Sequence, residues 1–340
     1  MTVRNILLLA SHAVAEHDDL RMFADLGYDV FAPGGFETPS DPAENVRPPV
    51  DAPDHPEFRA LCREVRERHG SRNLDYAIDW AKADVHPIIL DWADVVIVHH
   101  YPERWVPPLV NQAKRIIWRT CGQSNPYLEL QMRRYRDHME IVRYSPKETA
   151  LGPSFAGQDA MIRFGKYPAD YGPWDGEWET VLNIAQHDKV PHQRDPWLNW
   201  RFLEDATQGL HRMIVGPNSD LIGGEGSLEY SWMLRCLQMC RAYLYTGTQP
   251  ASYTLALIEA MLAGIPVVSI GPRWMESPDL FEGHEIAKVY YDDPAAAGRF
   301  LRTLLDDRDH AAMIGHDQRQ RAIELFDVAT VGQQWQTYLR

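Results

Sequence analysis

Within its first 31 residues the chain spells out a strand, a helix and a second strand. "NILLLASH" (5–12) is an apolar run that turns polar only at its end, which reads as a buried strand. "DDLRMFADLGYDVF" (18–31) follows with an acidic helix start, apolar residues at Leu20, Phe23 and Leu26, a glycine stop at Gly27 and another strand. Such a βαβ unit obliges its two strands to run parallel and lays a helix over the sheet. Few folds accept that constraint repeated along a chain.

It is repeated. "ADVVIVHHYP", "AKRIIWRTCGQS" and "EIVRYS" read as further strands, with "PEFRALCREVRERHG" and "YLELQMRRYRDHM" as helices. The proline- and acid-rich stretch 33–56 reads as a long surface loop, a type that is usually functional or mobile. Proline, glycine and aromatics without periodicity fill "RFGKYPADYGPWDGEWE" (163–179), which marks a linker. The alternation then restarts with "TVLNIAQ", "DPWLNWRFLEDATQGL", "HRMIVG", "SLEYSWMLRCLQMCR", "AYLYTG" and "PVVSIG", and ends on helices. The expectation is an α/β protein of two Rossmann-like, doubly wound parallel-sheet domains facing a central cleft. We set the first at 1–165, the linker at 166–178, the second at 179–322, and a C-terminal helix at 323–340 that crosses back.

A length of 340 residues, with 45% hydrophobic and 24% charged residues, suits two globular domains. The formal charge of −14 argues against a broad grip on nucleic acid, which needs a basic surface. No apolar run is long enough for a membrane span, and the N-terminus lacks a signal-peptide pattern. Cys62, Cys121, Cys236 and Cys240 have no zinc-like spacing, so reduced thiols and a cytoplasmic location are expected.

In open parallel sheets ligands gather beyond the carboxyl ends of the strands, where helix N-termini offer free amides to anions. In the second half such places carry His187, Lys189 and Arg194 after one strand and Gly216 and Asn218 after the next; "TGTQPASYT" follows the third. Arg194 stands before an expected Asp195 N-cap and Pro196, so its cation would lie beside a helix start. Together they would make a diphosphate site; the plainer reading of Arg194 is a surface cation. The next helix carries a stripe of Leu255, Ile258 and Leu262, and at its edge a single acid, Glu259, between Ala256 and Ala263. A carboxylate there needs hydrogen-bond donors such as sugar hydroxyls, or else a local Arg or Lys.

In the first half, Ser11, His12, His99, His100, Gln123 and Ser124 all fall at strand carboxyl ends and are candidates for the cleft and the acceptor. His12 and His100 are the candidate bases; the plainer reading for any one histidine is a structural side chain. Asp18 and Asp19 read as helix-start acids meeting the dipole. No convincing Asp-x-Asp motif, phosphate-loop lysine motif or Gly-x-Ser-x-Gly elbow is present, so neither a metal nor a cofactor is expected.

The segment "ASYTLALIEAMLAGIPVVSIG" (251–271) resembles the signature of GT-B glycosyltransferases, in particular the retaining group related to sucrose and glycogen synthases. That resemblance implies a nucleoside-diphosphate sugar as donor and retention at the anomeric carbon. It assigns Glu259 to the ribose hydroxyls, and Tyr253, Thr254 and Leu255, with Ser252 before them, to the diphosphate and sugar. Arg194 matches the phosphate-binding cation, and His187 stands near a usual arginine. The pattern's first acid is replaced here by Ala251, which leaves the donor sugar open and keeps a non-catalytic binding module, or a GT-B epimerase or phosphorylase, as alternatives. The expected acceptor is a small molecule, glycan or protein.

Overall fold

The computed structural model describes residues 3–10, 12–33, 47–68, 85–99, 101–112, 114–122, 125–184, 199–248, 251–271, 278–281 and 290–340. The chain forms two compact units, one of residues 1–166 with 328–340 and one of residues 167–327.

The first unit starts with β1 (Asn5–Leu9), α1 (Ala13–Asp25) and β2 (Asp29–Phe31), then α2 (Pro56–Arg68) and α3 (Pro87–Trp92). It continues through β3 (Val95–Val98), α4 (Pro102–Leu109), β4 (Arg115–Arg119), α5 (Pro126–Met132), β5 (Glu140–Arg143) and β6 (Ala160–Met161). The sheet order is β2-β1-β3-β4-β5-β6, every neighbour parallel. Because successive strand residues point to opposite faces, Leu7 and Leu9 pack with Phe58, Ile89 and Trp105 on one side, while Ile6 and Leu8 pack with Leu20 and Phe23 on the other. Apolar residues on both faces are what a sheet with helices on both sides demands.

The second unit holds β7 (Trp178–Ile184), α6 (Trp200–Ala206), β8 (Arg212–Val215), α7 (Tyr230–Met239) and β9 (Cys240–Tyr245). These are followed by α8 (Leu255–Ala263), β10 (Val267–Ile270), β11 (Tyr290–Tyr291), α9 (Pro294–Asp306) and α10 (Arg308–Phe326). Its five-stranded parallel sheet has the order β11-β10-β9-β7-β8. Numbered within its own unit, that is the winding of the first sheet again. In each, the order reverses between the first and third strands: β1 and β3 in the first unit, β7 and β9 in the second. Residues 167–178 are tied into the second unit, where Trp174 Nε1 donates to Cys240 O at 2.8 Å and Asp175 N to Gln238 O at 2.9 Å.

A last helix, α11 (Val328–Leu339), belongs to the first unit. Its Trp335 is fully buried against Phe23, ring centroids 5.3 Å apart, and lies under the Arg119 guanidinium. Arg115 donates to the Tyr338 and Leu339 carbonyls, which end the helix without intrahelical partners. Where the chain leaves the first unit and where it returns are joined, Val328 N donating to Lys166 O at 2.8 Å. No described helix is long and apolar enough to cross a membrane.

Two local expectations change. The helix expected over "YLELQMRRYRDHM" ends at Met132 and gives way to a 3-10 turn over Arg133–Tyr135. Described helix in "DPWLNWRFLEDATQGL" begins at Trp200, with Asn199 in the left-handed region at its N-cap; Asp195 and Pro196 lie outside the described residues.

Candidate active site

In the second unit, α8 is built from strong helix formers and stops where Gly264 takes φ 85°, its N–H reaching the Ala260 and Met261 carbonyls. Ile265-Pro266 then bars further helix and the chain enters β10. From α10, Gln318 brackets that strand, accepting from Val267 N at 2.7 Å and donating to Val267 O at 2.8 Å. Arg319 caps the Leu262 carbonyl. The C-terminal end of α8 is therefore fixed by tertiary contacts.

Glu259 is 6% exposed. It acts electrostatically on the fully buried Tyr243, whose hydroxyl burial pushes far up, with Tyr245 and Glu259 adding to the effect. At the N-terminus of α8, Thr254 takes the extended N-cap conformation but makes no capping bond with its side chain. Its N–H donates instead to Tyr245 Oη at 3.0 Å. Ser252 is buried, and Tyr253 is buried edge-on against Phe326 at 5.6 Å. Leu255 opens the helix proper. What this turn can offer a ligand is accordingly backbone: the amides of the first helical turn, which no intrahelical carbonyl can reach.

Gly216 follows β8 with φ 126° and donates its N–H to Gly226 O at 2.8 Å. It offers a ligand close approach, not a donor. Asn218 adopts φ 63° in the same loop, which Ser219 Oγ ties together by donating to Ile214 O and accepting from Gly226 N. His187, Lys189 and Arg194 lie outside the described residues. Sequence reasoning missed Tyr243 and Tyr245, because "YLY" reads as ordinary strand. It also missed Asn183 and Asn199, although an asparagine inside the apolar run "TVLNI" was a visible signal.

In the first unit, His12 is the N-cap of α1 and makes no side-chain cap; its carbonyl accepts from Glu16 N at 2.9 Å. Ser11, His100, Gln123 and Ser124 lie outside the described residues. His99, expected at a strand end toward the acceptor, is buried inside the first unit. It is 2% exposed, with Nε2 2.9 Å from Asp19 Oδ2, and Asp19 also pairs with the buried Arg119. Burial pushes the His99 ring below its ordinary value against the pull of Asp19. The physical reason is strand parity: His99 continues the face of Ile97, which looks onto α1.

Asp18 and Asp19 are likewise not helix-start acids, since α1 begins at Ala13 and both lie beyond its first turn. Asp18 holds Lys166 at 2.6 Å. Burial alone would raise its carboxyl; the Lys166 ammonium, helped by His17 and Arg47, pulls it well below the usual carboxylate range. Arg119 and His99 likewise hold Asp19 down against its burial. Desolvated charges of this kind persist only when paired. Among the described residues, no group of three or more His, Cys, Asp or Glu side chains could hold a metal ion.

Comparison with known proteins adds to this geometry. Residues 194–337 match a family model described as glycosyl transferase-like. No curated protein matches the chain. Sucrose-phosphate synthase from Thermosynechococcus elongatus is similar in structure at TM-score 0.69 and 13% identity, over 98% of both chains. HepE from Anabaena, solved in complex with UDP and glucose, is similar at TM-score 0.64 and 14% identity, over 99% of both chains. A glycosyltransferase from Rickettsia africae gives TM-score 0.64 at 12% identity, over 100% of this chain and 98% of that one. The fold class is GT-B.

Proposed function

We propose that the chain transfers a sugar from a nucleoside-diphosphate sugar to an acceptor, with retention at the anomeric carbon. The observation that carries this reading is Glu259: a buried carboxylate on a helix whose N-terminus has no side-chain cap, inside the 194–337 segment that matches the glycosyl transferase-like family. The structurally similar HepE was solved with UDP-glucose, which supports the donor class. On this reading Glu259 accepts the ribose hydroxyls. The turn of Ser252, Tyr253 and Thr254 leads the first-turn amides from Leu255 onward to the diphosphate, and Arg194, Lys189 and His187 add positive charge as it leaves, without a metal. Gly216 lets the ligand approach, and Asn218 stands beside it. His12 and His100 are the candidate bases, with Ser11, Gln123 and Ser124 toward the acceptor, which we take to be a small molecule, glycan or protein. No further cofactor is required, and the four free thiols suit a cytoplasmic setting.

Titration with UDP-, GDP-, ADP- and TDP-sugars tests the reading. One of them should bind, and Glu259→Ala should weaken it by about tenfold to a hundredfold, the effect of losing hydrogen bonds to a charged group. Equal affinity in wild type and variant would remove Glu259 from the site. A second reading, a binding module without turnover, is favoured by Ala251, whose N–H closes a turn on Thr248 O where the resembled pattern carries an acid. Tight binding with no nucleotide release across an acceptor panel would select it.

A further inference from the structure

The second sheet reverses its order between β7 and β9, the place where open α/β sheets take ligands. The last described pair of that ladder is Leu182 opposite Tyr243. Tyr243 N donates to Pro266 O on the β10 side, so the next carbonyl of β9, that of Leu244, faces β7. It accepts from Asn183 Nδ2 at 2.9 Å, and two residues on Thr246 O accepts from Asn199 Nδ2 at 2.7 Å. A carbonyl can only accept, so each amide is fixed with its nitrogen on β9 and its oxygen left over. Asn183 is 2% and Asn199 3% exposed, and neither Oδ1 has a hydrogen-bond partner among the described residues. Asn199 is the N-cap of α6, where an asparagine ordinarily turns its oxygen onto the helix amides, yet it makes no such bond. Buried acceptors are rarely left so, and here two stand together at the ligand end of one strand pair.

An uncharged amide oxygen takes a hydroxyl or an N–H and offers nothing to a phosphate oxygen, itself an acceptor. Within the nucleotide-sugar reading, on which this rests, Glu259 serves the ribose and the α8 amides serve the diphosphate. The hydroxyls of the transferred sugar lack their acceptor, because Ala251 stands where the resembled pattern carries an acid. The turn that Ala251 closes on Thr248 O starts two residues after the carbonyl that Asn199 holds. We propose that Asn183 and Asn199 select the transferred sugar, accepting hydrogen bonds from its hydroxyls in place of the missing carboxylate.

Calorimetric titration separates sugar from nucleotide. Wild type, Asn183→Ala and Asn199→Gly are compared below the melting temperature of each; glycine keeps the φ 51° backbone at 199 without strain. The probes are UDP, GDP, ADP and TDP, with UDP-glucose, UDP-N-acetylglucosamine, GDP-mannose, ADP-glucose and TDP-glucose. For the nucleotide that wild type binds, each variant should hold the free diphosphate within about threefold of wild type and the sugar ester about tenfold more weakly, the effect of one hydrogen bond. Deoxyfluoro forms of that sugar, which cannot donate at the altered position, read the same contact from the ligand side. At least one should bind wild type about tenfold more weakly than the parent sugar, and one of the two variants should no longer tell it from the parent. Equal losses for diphosphate and sugar ester, as an interior water or a contact to the base would give, would overturn the inference, and so would an unchanged affinity for the sugar ester. Wild type binding none of the probes would instead overturn the reading beneath it.

Discussion

Replacing Gly315 by alanine adds one methyl group in the middle of α10, where helix propensity alone would reward it by about 1 kcal/mol. The structure argues for the opposite sign. A Cβ there would run into the Gly264 carbonyl oxygen, and would stand 3.0 Å from the Gly264 carbon and 3.3 Å from Pro266 N. All three atoms are backbone of the turn that ends α8, so no side chain can swing aside. Relief requires α10 to lift from the α8–β10 turn, at about 1–3 kcal/mol for overpacking. Gln318, three residues on, would lose its two bonds to Val267, each worth about 1 kcal/mol net. Set against the propensity gain, the variant should lose about 2–4 kcal/mol, or about 5–15 °C in the thermal transition of the second unit. Scanning calorimetry reads this directly. Gly332→Ala is the control: it too lies inside a helix, its Cβ would meet the flexible Leu26 side chain at 3.3 Å, and it should fall between wild type and about 1 kcal/mol more stable. A Gly315→Ala protein melting at or above the wild-type temperature would refute the reasoning.

Two further predictions concern the first unit. His99 is held below its ordinary value, so the unfolded chain takes up a proton that the folded one refuses. Stability of this unit should therefore fall as pH drops through about 6.5, and again below about 4, where the unfolded carboxyls protonate while Asp18 and Asp19 resist. Chemical denaturation across pH 3–8 measures both steps, and His99→Gln should erase the upper one. Trp335→Ala removes a fully buried ring from between Phe23 and Arg119 and should cost about 3–5 kcal/mol; a change under about 1 kcal/mol in denaturant midpoint would show that α11 contributes little to the unit.

Nine of the eleven described strands were legible because parallel strands covered on both faces read as unbroken apolar runs, as in "NILLL", "VVIV" and "PVVSIG", whereas the two-residue edge strands β6 and β11 are too short to show a pattern. Strand order followed less directly, since no local pattern states that β3 lies beside β1. α10 starts where Asp307 accepts from His310 N and runs on to Phe326, past residue 323, the expected start of the C-terminal helix. The acids of α1 were misread because a carboxylate facing solvent and one buried against Arg119 or Lys166 look alike in sequence when the partner is 100 or more residues away. Glu259 stood out for the converse reason: its neighbours are all apolar, so a lone charge was conspicuous without knowledge of the fold. Tyr245 had no such contrast, since what sets it apart is a hydrogen bond it accepts from a residue nine positions on.

The bond between Val328 N and Lys166 O makes the second unit a closed excursion from the first, entered and left at one spot. Cutting the gene at that spot therefore has unequal results. Residues 167–327 form a self-contained insert whose two ends are neighbours, suited to separate expression or to circular permutation. Residues 1–166 alone would lack α11 and expose the apolar surface that Trp335 and Val331 cover, so the first unit is finished only once α11 has been made and folds back onto it.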